Sequence, residues 1–184
     1  MTSYPKNFRD QLILEIKKRL FEENVPRLKK CLTQLTETEI WHHPNAHSNS
    51  IGNLVLHLCG NVRQWILSGL GEQADTRQRQ QEFDEKGPVP SEKLIQMVDE
   101  LMDEVETVLD SLSPEMLLEK RDVQVFRETG LGILVHVVEH FSYHVGQMTY
   151  FVKWRKDMDI GYYSDTNLEN PNGKDFQNFS HLNS

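Results

Sequence analysis

Six of the eight histidines fall in three places: His42 with His43, His57 alone, and the run His136, His140 and His144. The run is written HVVEHFSYH, with a spacing of four and four. A helix rises about 1.5 Å and turns about 100° per residue, so residues i and i+4 share one face a single turn apart. Two imidazoles placed this way can converge on one ion at metal–nitrogen distances of about 2.0–2.1 Å. A third must come from another helix. His57 is the candidate, because it stands mid-helix among Leu54, Val55, Leu56 and Leu58, where a histidine is expected to be buried or half-buried in a cleft. Each signal alone has an ordinary explanation: a core histidine with one hydrogen-bonded nitrogen, or an HxxxH pair on a solvated face. Their joint occurrence on two inward-facing helices is what points to a metal.

Polar residues follow His57 along its helix. Asn53, Asn61 and Gln64 lie four before, four after and seven after it, making a stripe on that side. A ligating histidine usually donates its second ring hydrogen to a carbonyl, carboxylate or amide, and Asn53, Asn61 or Gln147 could accept it. His136, one turn before His140 on the same face, could replace a ligand or supply a fourth, but a role behind the ligands or in the cleft wall is expected first. Glu139 neighbours His140 in sequence but points about 100° away from it. Trp65, Tyr143 and Trp154 are placed to line a pocket, and Gly60 and Gly146 to permit close helix approach at a modest helix penalty. His42, His43 and His47 sit in a polar connection and read as surface residues.

Three neutral imidazoles leave a divalent ion its full charge and at least one open position, unlike closed structural zinc sites with four ligands. Zinc and nickel both suit imidazole. A coordinated water could then be activated for hydrolysis, or a small thiol could be lowered in pKa and attack an electrophile. No carboxylate in the pattern must serve as a general base, which disfavours the hydrolase.

The elements that must position these groups read as four long helices. The first runs from about Lys6 to Leu35, with Phe8, Leu12, Ile16 and Leu20 at helical spacing, and Pro26 should kink or divide it. A short helical turn follows near Thr38 to Trp41. The second helix starts near Ser48 to Ser50 and stops at Gly69 and Gly71. Residues 71 to 90 read as a loop. The third opens at Ser91 and Glu92, keeps a clean period through Leu94, Val98, Leu101, Val105, Val108 and Leu112, and stops at Ser113-Pro114. A strand-like patch from Val123 to Phe126 leads to Gly130, and the fourth helix covers about Leu131 to Arg155. The expectation is an all-α fold, a four-helix bundle with long connections between helices 2 and 3 and between 3 and 4. It forms a single domain over 1–184, with its core at about 6–155 and an irregular tail at 156–184. Helix four is apolar nearly all round, through Ile133, Leu134, Val137, Val138, Phe141, Val145, Met148, Phe151 and Val152. The surplus predicts burial against a second subunit, a homodimer.

Bulk properties narrow the partners. The 184 residues carry 20 Lys and Arg against 28 Asp and Glu, a net charge of -8 that repels nucleic acid. No apolar run approaches the ~20 residues that span a bilayer. No secretory signal is legible at the N-terminus, so a cytoplasmic location is expected. Cys31 and Cys59 lie outside any CxxC pair and suit a reducing compartment.

The stretch HSNSIGNLVLHLCGNVRQWI resembles the second-helix motif of the DinB-like (YfiT-like) metalloprotein superfamily. HVVEHFSYHVGQMTYF is similar to that family's HxxxHxGQ motif, and DTRQRQQEF to an Arg-rich loop with a Glu-Phe ending in one branch of it. The resemblance runs from about Phe8 to Trp154. It implies that His57, His140 and His144 hold one divalent metal ion, Zn2+ or Ni2+. It also implies a small-molecule substrate and, foremost, a thiol S-transferase that uses a low-molecular-weight thiol. A metal-dependent hydrolase and a non-enzymatic stress-response binding protein are the alternatives.

Overall fold

The computed structural model describes residues 4–164 and 169. Among them the chain is mostly helical, with one short β-hairpin. The expected first helix is a single rod in three parts: α1 (Tyr4–Lys17), a π-helical stretch (Lys18–Asn24) and α2 (Val25–Thr33). Pro26 causes the division. Its nitrogen has no hydrogen to give the preceding turn, so the regular ladder cannot run through it, and the widened turn carries the rod past the break. Asn24 is buried there, and its Nδ2 donates to the Arg19 carbonyl at 2.9 Å, so a carbonyl in the widened turn keeps a partner.

After the single turn α3 (Glu37–Ile40), α4 (Ile51–Val62) begins at Ser50. Asn53 N–H donates to Ser50 Oγ at 3.1 Å, and Ser50 Oγ donates to Asn53 Oδ1 at 2.6 Å, a reciprocal cap. The helix passes directly into a second π-helical stretch, Arg63–Ser68, and stops at Gly69. The connection expected as plain loop contains a short helix, α5 (Arg79–Asp84), with no buried residue. It lacks an apolar period because hydrogen bonds, not an apolar face, hold it to α4.

α6 (Ser91–Ser111) keeps the expected period buried, and Ser113 then caps α7 (Pro114–Leu118). The strand-like patch proves to be the tip of an antiparallel hairpin, β1 (Lys120–Val123) and β2 (Phe126–Thr129), in which Val123 pairs with Phe126. Gln124, at φ 57°, helps turn the chain between them. The fold is therefore not purely α.

α8 (Gly130–Lys156) packs against α2, α4, α7 and β2, and α6 packs against α4 and the first rod. Because α8 has neighbours on several sides, eight of its nine apolar positions named above are buried inside this one chain, Val138 being half-buried. At roughly 1.5–3 kcal/mol per large apolar side chain buried, these residues form a large part of the chain's own core. Beyond α8, Ile160 is buried and Tyr162 OH lies 2.8 Å from Thr149 Oγ1, tying the start of the expected irregular tail to the core. The remainder of that tail lies outside the described residues, apart from residue 169. No helix among the described residues is long and apolar enough to cross a membrane.

Candidate metal centre

Packing of α4 on α8 brings His57 to the histidine run. His57 Nε2 lies 3.2 Å from His140 Nε2, and His144 Nε2 lies 3.2 Å from the same atom. One ligand atom from each of the three residues falls within 4.8 Å of the others, so the three could hold a metal ion. Two nitrogens bound to one tetrahedral ion at about 2.0–2.1 Å stand about 3.3 Å apart. The spacing fits.

Proton placement supports the same reading. His57 Nδ1 is 2.9 Å from Glu82 Oε2 and 3.2 Å from Arg77 Nη2; the shorter contact is to a carboxylate, which can only accept, so that nitrogen carries the hydrogen while Arg77 Nη2 gives its own to Glu82 Oε2 at 2.8 Å. His144 Nδ1 likewise donates to Gln147 Oε1 at 2.8 Å. Both residues therefore turn an Nε2 lone pair toward His140 Nε2, whose single hydrogen could satisfy only one of them well. A cation at the centre would take all three Nε2 lone pairs, leaving the His140 hydrogen on Nδ1, which is buried without a hydrogen-bond partner. Burial, then the neighbouring imidazoles of His144 and His57, pull His140 down to about 3. Burial also lowers His144, against the opposing effect of the Gln147 hydrogen bond. These two rings are neutral at physiological pH, the form that binds metal.

Glu82 is the residue that sequence reasoning missed. Burial pushes its carboxyl up, but hydrogen bonds from Arg77 and His57 outweigh this and hold it below the usual carboxylate range. Arg77 grips it with two hydrogen bonds, Nε to Oε1 at 2.7 Å and Nη2 to Oε2 at 2.8 Å. Gly60 makes the approach possible: a Cβ there would lie 2.0 Å from Glu82 Oε1. The glycine thus admits a carboxylate from the short helix α5 rather than one of the long helices. The available signal was chemical, since a ligating histidine seeks an acceptor and the nearest acidic residues along the chain were in the loop after α4.

The polar stripe on α4 has a different use from the one expected. Asn53 Nδ2 donates to the carbonyls of Glu82 and Glu85, both at 2.9 Å. Gln64 accepts from Arg77 Nη1 at 2.8 Å and donates to Asp75 Oδ2 at 2.7 Å. Both therefore fasten the loop and touch no ligand. Asn61 Nδ2 reaches His136 Nε2 at 3.5 Å and makes no hydrogen bond to His57. His136 stacks on Trp65 with 3.7 Å between ring centroids, half-buried, and stays out of the triad. Tyr143 lies edge-on to His144 at 5.0 Å, on the solvent side with Gln147. His42 and His47 are exposed, and His43 Nδ1 bonds the Ser48 carbonyl at 3.0 Å.

Neither cysteine offers a thiolate. Burial pushes Cys59 up to about 12 and raises Cys31 as well.

The comparisons with known proteins agree on the fold. A family described as "Protein of unknown function (DUF1572)" matches residues 9–164. Among solved structures, a DinB-like protein from Bacillus cereus superposes with a TM-score of 0.60 at 16% identity, covering 76% of this chain and 90% of its own. The DinB-like protein YjoA from Bacillus subtilis gives 0.60 at 15% identity, covering 81% and 94%. A conserved protein from Enterococcus faecalis gives 0.62 at 18%, covering 80% and 97%. No curated protein matches the chain.

Proposed function

We propose that this chain, which belongs to the DUF1572 family and has the DinB-like fold, binds one divalent ion, zinc or nickel, through His57, His140 and His144 and transfers a low-molecular-weight thiol to an electrophile. The observation that carries the reading is the convergence of the His57, His140 and His144 Nε2 atoms while the Nδ1 hydrogens of His57 and His144 are given to Glu82 and Gln147. An ion held by three neutral imidazoles keeps its full charge and an open position, and lowers the pKa of a thiol that reaches it. The remaining roles belong to the chain. Glu82 and Arg77 fix the ring of His57, Gln147 fixes that of His144, and the four long helical stretches, read as a four-helix bundle, keep the rings of His140 and His144 neutral by burial.

The thiol must come from outside, because both cysteines are held protonated. In the transfer its sulfur bonds the electrophilic carbon, the leaving group departs with its electron pair, and the thiol proton passes to solvent. Hydrolysis is less well served. Glu82, the carboxylate bonded to His57, is ionised but already committed to Arg77 and His57, so it is not free to take a proton from water. Pairing of two copies in solution is a separate proposal, for which Phe8 and Leu14 on α1 offer exposed apolar side chains.

The test is elemental analysis of protein purified without a nickel column, followed by assay with a small thiol and 1-chloro-2,4-dinitrobenzene. About one ion per chain and metal-dependent conjugation are expected. Ester cleavage without thiol would favour the hydrolase, and retained metal with neither activity a binding role. Absence of metal would remove the proposal.

A further inference from the structure

Beside the triad, outside His144, lies a groove of about 720 Å³, within the size range of small-molecule sites. Gln147 joins the two: it lines the groove and holds His144 Nδ1 at 2.8 Å. The far wall is the segment between α3 and α4, including His47 and Asn49, with Ile51 at the start of α4.

Three properties of the groove describe its ligand. The first is its floor. Gly146 stands in the middle of α8, where glycine costs about 1 kcal/mol relative to alanine, yet a Cβ built there meets nothing within 4 Å. Packing within the chain does not demand the glycine. Its effect is to leave the groove open between Tyr143 and Tyr150. The second is its wall. Tyr143, Tyr150 and Trp154 are 63%, 75% and 60% exposed, and Phe151 lies beside them. Flat faces of this kind stack on flat ligands. The third is charge. No Asp, Glu, Lys or Arg lines the groove, in a chain with 48 such residues out of 184, and its one imidazole is the exposed His47. A cationic group would lose water there without gaining a carboxylate, and an anionic one without gaining a Lys or Arg.

We infer that this groove binds a neutral, planar aromatic compound and presents it beside His144, which makes such compounds the electrophile class of the transfer proposed above. The inference rests on that reading for its chemistry but not for its binding, since the groove is formed by protein alone.

The test is calorimetric titration of metal-free and metal-loaded protein with 1,3-dinitrobenzene, which has no leaving group. The charged comparators are 3,5-dinitrobenzoate and a nitrobenzyl trimethylammonium salt. We expect saturable binding of the neutral probe in both forms, at least ten-fold tighter than either ion in the metal-free form. Gly146→Leu should weaken the probe at least ten-fold while metal affinity, read by chelator competition, stays within about three-fold. Gly146→Ala should bind it less than the parent yet melt at a higher temperature. No saturable binding, equal or tighter binding of an ion, or an unchanged affinity in Gly146→Leu would overturn the inference. So would a dimer by sedimentation that Gly146→Leu dissociates, which would make the groove an interface between copies. Failure to bind metal with intact probe binding would overturn the metal reading and leave the groove standing.

Discussion

His144 and His136 flank His140 at equal spacing on one helix, yet the chain treats them differently. At the His144 end the ring presents Nε2 to His140 at 3.2 Å, with Nδ1 occupied by Gln147 and solvent reachable past Tyr143. At the His136 end the ring lies against the Trp65 indole, 3.7 Å between centroids, and its Nε2 faces the Asn61 amide. Burial lowers both rings' affinity for protons, so charge does not separate them. Orientation does. A ligand needs a lone pair that is free and aimed; His144 keeps one, while Trp65 of the Arg63–Ser68 stretch covers the ring at His136.

The comparison can be broken most directly by removing rings. His140→Ala or His144→Ala should reduce metal from about one per chain to near zero, with affinity falling at least about 100-fold, measured by elemental analysis and chelator competition. Glu82→Gln should weaken metal binding about 10–100-fold, the usual effect of losing the group that orients a ligating histidine. An affinity unchanged by that substitution would show that the loop holds the fold and not the ligand. His136→Phe keeps an aromatic ring against Trp65 and should leave metal affinity within about three-fold. A loss as large as that of His144→Ala would mean that the two ends are equivalent.

The smallest effect concerns pH in the metal-free protein. In the unfolded chain His140 titrates near the ordinary 6.5, and in the fold at about 3. Below about pH 6.5 the unfolded state therefore takes up a proton that the folded state refuses. Stability from this group is complete above that value and is lost progressively as pH falls toward about 3. Denaturant midpoints measured across that window should decline, and decline less steeply in His140→Phe.

Much of the site was legible from spacing. The i, i+4 period sets His140 and His144 on one face, and a histidine amid Leu54, Val55, Leu56 and Leu58 had to face inward. The reciprocal cap at Ser50 and the division at Pro26 were also local matters of side-chain and backbone chemistry. The hairpin was legible only at its tip, Val123 to Phe126, and α5 not at all, because the two strands and the helix are each four to six residues long and have no apolar period of their own.

The sequence by itself determined which faces are buried and which residue types could meet on them, because helical periodicity and burial are properties of neighbours along the chain. Only the tertiary structure decided the rest: that His57 faces His140 and His144, that Glu82 reaches back across Gly60 to hold it, and that His136 is spent on Trp65. Those outcomes depend on the relative position of α4, α8 and the loop between them. A pairing of residues 25 or 83 positions apart leaves no period to read.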